Sequence, residues 1–139
     1  MTRFQLEVEY DYDFDLIGIS CHAPDYRLCW ALNQNLALKL GKKENDLDNK
    51  PKKQTESSVH SLYEYYHDED HIIYQLLENK SGNSMIIPEH KQADYLLILR
   101  NNYAVETDEL VNRIKMIEMV LTAYKIEVKS LKSKENLIF

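Results

Sequence analysis

The chain has 139 residues, and 17 basic against 23 acidic side chains give a formal net charge of −6. This is the length of one domain, residues 1–139, whose core can do without disulfides. A general binder of phosphate backbones would be basic, and a disordered tail would lack the 44% of hydrophobic residues found here. A membrane span would need about 20 unbroken apolar residues. We therefore expect a globular protein with no nucleic-acid and no membrane partner.

The first ten residues show neither the apolar stretch nor the cleavage site of a signal peptide. We therefore expect a cytoplasmic protein in which Cys21 and Cys29 are free thiols. Cys21 precedes His22, and a cysteine beside a histidine could be an activated nucleophile. Adjacent residues of an extended segment point to opposite faces, so buried, inert cysteines are favoured.

The N-terminal stretch alternates strictly between apolar and polar residues from Phe4 to Leu16. This pattern predicts a strand with one buried face from Arg3 to Tyr10. Residues 11–19 are expected to bend away, because aspartate is rare in strands and Gly18 follows. The acidic positions of the alternation are Glu7, Glu9, Asp11, Asp13 and Asp15. A straight row cannot converge on a metal ion, so we interpret it as a solvated face, with an acidic contact surface or a metal site as alternatives.

Leucines then recur every four residues from Leu28 to Leu40. The spacing predicts a helix that begins at Pro24 and Asp25, has Trp30 in its apolar stripe and ends at Gly41 as the C-cap. Residues 42–57 contain no aromatic residue and a proline in a mixed charged run. This composition predicts a mobile insert.

Residues 59–66 and 71–78 are rich in Tyr, Val and Ile and flank an acidic turn at 67–70, which predicts a β-hairpin. Histidines 67 and 71 have a zinc-binding spacing for a helix, but a turn is favoured here. The hairpin tyrosines (Tyr63, Tyr65, Tyr66 and Tyr74) indicate either a contact surface or ordinary strand composition. A turn at 79–84 and a short strand at 85–87, ended by Pro88, are expected to follow.

Residues 93–100 form an apolar run that is typical of a central strand covered on both faces. Thr107 is the expected N-cap of a second helix, with an apolar face of Leu110, Ile114, Ile117 and Leu121. Alternation from Val120 to Val128 predicts the last strand.

The element order predicts an α+β fold with a mainly antiparallel sheet of about five strands and two helices on one face. A ferredoxin-like or ACT-like sandwich with an added hairpin is the simplest arrangement. Three glycines are too few for a glycine-rich phosphate loop, and no nucleophile elbow or Cys-x-x-Cys pair occurs. We expect no cofactor and no metal.

The most distinctive segment is Ile87-Pro88-Glu89-His90-Lys91-Gln92-Ala93-Asp94-Tyr95. It resembles the name-giving motif of the bacterial IPExxxVDY family, with Ala93 where the family usually has valine. Residues 12–20, 25–33 and 131–139 are similar to that family as well. The resemblance spans nearly the whole chain, sparing residues 42–57, and it implies no activity, because none is assigned to the family.

Residues of these motifs form the candidate functional surface: Asp25, Arg27, Asn33, Pro88, Glu89, Asp94 and Tyr95. An arginine between two carboxylates can form a bidentate pair, and we expect Arg27 to dock the 88–94 loop on the helix in this way. A ligand or partner site in the same place and catalysis are the alternatives.

Three functions remain open. The preferred hypothesis is a protein-interaction or regulatory module without catalytic activity, acting through a protein partner or its own dimer. A small-metabolite sensor is the second, by analogy with ACT-like sandwiches. The third is an enzyme that uses Glu89 or Asp94 as acid or base, which requires these carboxylates in a pocket, near each other or near Arg27.

Overall fold

The structure is a computed structural model that describes residues 12–43, 47–49 and 58–139. The α-helices of this part are α1 (Asp25–Leu36) and α2 (Thr107–Lys115), and two short 3-10 helices span Val128–Ser130 and Lys134–Leu137. Its strands are β1 (Asp15–Ser20), β2 (Gly41–Lys42), β3 (Leu47–Asn49), β4 (Ser58–His60), β5 (Leu62–Tyr66), β6 (Ile73–Glu78), β7 (Lys80–Ser81), β8 (Ser84–Met85), β9 (Tyr95–Arg100) and β10 (Thr122–Ile126). No helix of this part is long and apolar enough to cross a membrane.

Some predictions fall on residues outside the described ranges. These are the strand at 3–10, the acidic positions 7, 9 and 11, and most of the insert at 42–57. Where residues of the insert are described, they are paired: Lys42 belongs to β2, and β3 forms a two-stranded sheet with β4. The mobility of the insert at 42–57 stays a prediction.

Six strands form one antiparallel sheet in the order β10-β1-β9-β6-β5-β2. Four of its strands (β1, β6, β9 and β10), with α1 and α2 between them, follow the β-α-β-β-α-β order of a ferredoxin-like sandwich. The β5–β6 hairpin adds a strand to one side, and β2 extends it further. The predicted α+β fold is confirmed, with six strands in the main sheet.

One face of the sheet, the helix face, is covered by α1 and α2. Odd-numbered residues of β1 and β9, such as Ile17 and Leu97, pack against leucines of α1 and against Ile114 of α2. Each fully buried aliphatic side chain stabilises the fold by roughly 1.5–3 kcal/mol. Buried apolar area therefore supplies most of the free energy that holds the two helices on this face.

The opposite face, the tail face, is covered by irregular chain. Even-numbered residues such as Leu16 and Ile98 pack there against Ile87 and Leu137. The covering segments are residues 86–94, which we call the anchor loop, and residues 127–139, the C-terminal tail. Because both faces are covered, β9 is buried along nearly its whole length, which confirms the prediction of a central strand.

The predicted bend at residues 11–19 and the predicted end of α1 are both wrong. The strand β1 includes Gly18 and does not bend away, because the glycine makes room for the ring of Tyr124 on the tail face. Helix α1 ends at Leu36, where Ala37 takes a left-handed conformation with φ 55°. Leu38 and Leu40 are still buried, but from a non-helical segment, so the four-residue leucine spacing continued past the true helix end.

The structure also differs from the predicted caps and from the predicted apolar face of α2. Gly41 lies in β2 and is not the C-cap of α1, and the N-cap of α2 is Glu106, whose carboxylate accepts the N–H of Asp108. Leu121 is 63% exposed because α2 ends at Lys115 and its apolar face continues no further than Ile117.

Candidate functional site

The anchor loop is built around Asn79, a fully buried residue that follows β6. Its Nδ2 donates to the carbonyl oxygens of Ile87, His90 and Ala93, the last at 2.8 Å, and its Oδ1 accepts the N–H of Ile87 at 2.7 Å. A buried loop has backbone polar groups that must find partners, and one amide side chain supplies them here. Asn79 was not singled out by the sequence, since nothing in its neighbourhood distinguishes it from a turn residue.

Glu89 joins the anchor loop to the C-terminal tail. Its carboxylate accepts hydrogen bonds from the backbone N–H groups of Lys132 and Ser133 and from the Ser133 hydroxyl, the last at 2.6 Å. Burial works to raise the pKa of Glu89, but the hydrogen bonds from Ser133 and Lys132 outweigh it and hold the pKa below its ordinary value. Glu89 is thus engaged as an anion in a structural contact.

Asp94 and Tyr95 join the other end of the loop to the start of α1. One oxygen of Asp94 accepts the N–H of Cys21 at 2.9 Å, and the other lies 3.2 Å from the Lys80 ammonium group. The Tyr95 hydroxyl donates to the carbonyl oxygen of Ala23 at 2.6 Å, and burial raises its pKa. These bonds fix the short connection between β1 and α1.

The remaining candidate residues each have a separate local environment. Asp25 accepts the N–H of Tyr26 at the first turn of α1, and Pro88 is exposed in the anchor loop. Asn33 bonds both the N–H and the carbonyl oxygen of Leu40, and so holds the chain that leaves the helix. Each of these positions has a local structural explanation.

The predicted pairing of Arg27 with two carboxylates is wrong. Arg27 is exposed, and its guanidinium makes no hydrogen bond or ion pair within residues 12–43, 47–49 and 58–139. The carboxylates expected to hold it are occupied by the tail amides and by Lys80. The loop does dock beside the helix start, as expected, but through Asp94 and Tyr95.

The candidate residues do not converge on one pocket. Glu89 lies against the C-terminal tail, whereas Asp94 and Tyr95 lie against the beginning of α1. Three cavities of about 300–360 Å³ occur in the described part, at residues 12–16 with 125–129, around Phe14 with Phe139, and at 104–113. None of these three is lined by a candidate residue.

A second anchor of the tail was also missed. Arg100 donates from Nε to Gln75 and from Nη2 to the carbonyl oxygen of Leu137, at 2.7 and 2.6 Å. Its guanidinium lies 4.6 Å from the ring centroid of Phe14 and 5.3 Å from that of Phe139. The arginine that ends the apolar run of β9 could have drawn attention as a charge beside a buried strand.

The two cysteines are free and buried. Burial raises the pKa of both thiols, and for Cys21 the negative charge of Asp94 raises it further. A thiolate nucleophile needs the opposite shift. The expectation of free, buried thiols is confirmed.

The tyrosines of the hairpin are mostly part of the core. Tyr63 and Tyr74 are buried on the helix face, and Tyr65 stacks on Tyr74 with ring centroids 6.0 Å apart. Tyr66 is partly exposed, and its hydroxyl lies 2.6 Å from Nδ1 of His71. Of the two alternatives, the hairpin tyrosines therefore mainly fit ordinary strand composition.

Helix α1 carries an exposed aromatic pair. Tyr26 is 65% exposed and Trp30, the chain's single tryptophan, is 63% exposed. The prediction that Trp30 fills the apolar stripe is wrong. Residues 26 and 30 are each two positions before a stripe leucine, a rotation of about 200° on a helix, so a helical wheel would have placed them on the outer side.

Comparison with known protein families, curated proteins and solved structures found no match. Among the residues that the structure describes, no group of three or more His, Cys, Asp or Glu side chains is arranged to hold a metal ion.

Proposed function

We propose that this protein is a protein-interaction module without catalytic activity, and that it binds its partner through the outer face of α1. We define this outer face as Tyr26, Arg27, Trp30 and Gln34, which lie within two turns of the helix and are all exposed. The observation that carries the proposal is the exposure of Tyr26 and Trp30, each close to two thirds.

The energetics favour a binding role for this pair. Tryptophan, tyrosine and arginine are the residues most enriched among those that dominate binding energy in interfaces. An aromatic side chain buries about 150–250 Å² in total, so covering the exposed part of each ring would contribute about 2–4 kcal/mol at roughly 25 cal/mol per Å². The outer face combines all three residue types in one place.

The charge of the outer face suggests the chemistry of the partner. Arg27 lies between the two aromatic residues in sequence, and its guanidinium is engaged by no described carboxylate. A partner that fits this face has an apolar pocket for Trp30 and a carboxylate opposite Arg27.

The residues of the distinctive motif support the proposal indirectly. Glu89, Asp94 and Tyr95 are engaged in bonds that build the fold, which leaves them no arrangement for binding a substrate. Membership of the IPExxxVDY family is part of the same proposal, supported by residues 87–95. A cytoplasmic location is part of it too, supported by two free, buried cysteines.

The test is a capture experiment with matched variants. Immobilised wild-type protein, Trp30→Ala, Tyr26→Ala and Tyr103→Ala are each exposed to lysate of the source organism, and retained proteins are identified by mass spectrometry. Tyr103 is the control, because it is 92% exposed but lies in the connection before α2. We expect a partner that wild type and Tyr103→Ala retain and that Trp30→Ala loses.

Tryptophan fluorescence provides an independent readout. Trp30 is the single tryptophan, so the emission of the chain reports on the outer face alone. Addition of the captured partner should shift this emission to shorter wavelength as water leaves the indole. Retention of every partner by Trp30→Ala and Tyr26→Ala, with no emission shift in wild type, would contradict the proposal.

A further inference from the structure

We propose a second binding surface, the free edge of β10, and infer that it pairs antiparallel with β10 of a second copy of this chain. Strand β10 is at one end of the six-stranded sheet, and β1 is its single partner among the described strands. A strand edge presents unpaired N–H and C=O groups, and the same edge of a second copy complements them about a two-fold axis.

The hydrogen bonds of β1 show which backbone groups of β10 point outward. The carbonyl oxygen of Ser20 accepts the N–H of Leu121, whereas that of Ile19 accepts the N–H of Asp94 on the other side. Even-numbered residues of β1 thus bond toward β10, and odd-numbered residues bond toward β9. Gly18 and Leu16 pair with Tyr124 and Ile126.

The outward-facing residues follow from this alternation. Backbone groups alternate between the two edges of a strand, so those of Tyr124 and Ile126 are directed to β1. The N–H and C=O groups of Ala123 and Lys125 therefore face away from the sheet. Ala123 and Lys125, with one residue between them, thus each direct an N–H and a C=O group outward. An antiparallel strand pairs with this pattern.

Charge favours a two-fold axis at Tyr124 over one at Lys125. A two-fold axis at Tyr124 places Ala123 opposite Lys125 of the second copy, which gives two pairs with both backbone bonds formed. An axis at Lys125 would place two lysines directly opposite each other, which is unfavourable. In the Tyr124 register Lys125 keeps its ion pair with Asp108, whose carboxylate lies 3.3 Å away.

The surroundings of the edge also fit a second copy. Leu121, directly before β10, is 63% exposed, and Met116, just after α2, is 83% exposed. Helix α2 packs on β10, so both apolar side chains come from the segment that leads into the edge strand. A dimer across β10 continues the sheet to twelve strands and brings these segments of both copies to the interface.

The decisive variant is Lys125→Pro, with Lys125→Ala as its matched control. Proline removes the outward N–H and leaves the bonds to β1 in place, whereas alanine removes only the side chain. Sedimentation equilibrium should give twice the chain mass for wild type and for Lys125→Ala. Lys125→Pro loses two intermolecular bonds per dimer, which should raise the dissociation constant by about 30-fold or more. Circular dichroism checks that each variant is folded.

A cross-link keeps the proposal testable if the proline variant fails to fold. In the proposed register the two Tyr124 residues form a non-hydrogen-bonded pair with Cα atoms about 4.5 Å apart, within the range of a disulfide. Tyr124→Cys should give a disulfide-linked dimer under mild oxidation, and Tyr103→Cys should not.

Three outcomes would overturn the proposal. One is a wild-type mass of a single chain at all concentrations, including the case in which another segment of the same chain covers β10. Another is a dimer that Lys125→Pro does not weaken. The third is a Tyr124→Cys variant that cross-links no faster than Tyr103→Cys.

Discussion

The helix face and the tail face of the sheet bury the same kinds of side chain but hold their covers in different ways. On the helix face, α1 and α2 satisfy their own backbone groups and adhere through apolar stripes. On the tail face, the anchor loop and the C-terminal tail make only a few backbone bonds of their own, and other backbone groups are satisfied from outside. Asn79, Glu89 and Arg100 do this with a few specific hydrogen bonds.

This difference predicts which substitutions should destabilise the fold most. A helix that loses one apolar contact keeps the rest of its stripe, whereas the anchor loop depends on a single amide at its centre. Polar substitutions should therefore matter most on the tail face, and apolar substitutions on the helix face. Four predictions test this contrast, beginning with the largest effect.

Asn79→Ala should be the most disruptive polar substitution. Ile87 N–H and Ala93 C=O lose their partner inside the core, at about 1–3 kcal/mol each, so the free energy of unfolding should fall by about 3 kcal/mol. Urea denaturation measures this change. Asn33→Ala is the matched control, because that asparagine bonds a half-exposed segment beside the helix face, and it should cost about 1 kcal/mol. Equal losses for both variants would contradict the contrast.

Gly18→Ala should destabilise the protein by about 1–2 kcal/mol through overpacking of the tail face. A Cβ at this position would lie 2.9 Å from Cζ of Tyr124 and 3.0 Å from Cδ1 of Ile126. The Tyr124 ring must move, and with it the 3.1 Å contact between its hydroxyl and His90. At Gly41 a Cβ meets no atom within 4 Å, so Gly41→Ala should change the unfolding free energy by less than about 0.5 kcal/mol. An unchanged unfolding free energy in Gly18→Ala would show that the side chains of the tail face move aside at little cost.

Glu89 should make the stability of the tail depend on pH. Its pKa in the folded protein is below the ordinary value of 4.5, so its contribution is fully present above pH 4.5 and is lost as the pH falls through the folded pKa. The difference in unfolding free energy between wild type and Glu89→Gln should be about 1 kcal/mol at neutral pH and should shrink in acid. Glu135→Gln, in the same tail, is the control. A difference that stays constant with pH would rule out this role for the carboxylate.

Trp30→Ala should have the smallest effect, within about 0.5 kcal/mol, because the indole is mostly exposed. Leu32→Ala, two residues further along the same helix, creates a cavity on the helix face and should cost about 2–5 kcal/mol. Thermal and urea unfolding of the two variants measure the contrast. A large loss for Trp30→Ala would assign the indole to the core and weaken the proposed function.

The helix face was largely predictable and the tail face was not, for a physical reason. Periodicity reports burial against a regular neighbour, so the helices and the strands at 73–78 and 95–100 follow from the spacing of apolar residues. The anchor loop and C-terminal tail have no period. Their geometry depends on long-range bonds such as Asn79 to Ala93 and Glu89 to Ser133, and a single sequence carries no record of such partners.

The candidate residues show the same limit in a sharper form. The predicted partner of the motif carboxylates, Arg27, is wrong, because it was chosen among the motif residues and Lys80, which binds Asp94, lies outside them. The prediction for Trp30 is wrong for a different reason. The apolar character of tryptophan favours burial, whereas the angular position of residue 30 on the helix places it on the outer side.

Hydrogen exchange of wild type and Glu89→Gln, followed by mass spectrometry, tests most directly whether the motif builds the tail face. We expect faster exchange in residues 128–138, above all at the amides of Lys132 and Ser133, while peptides of α1 and α2 keep their wild-type rates. Unchanged exchange in the tail, or equally faster exchange throughout the chain, would contradict it.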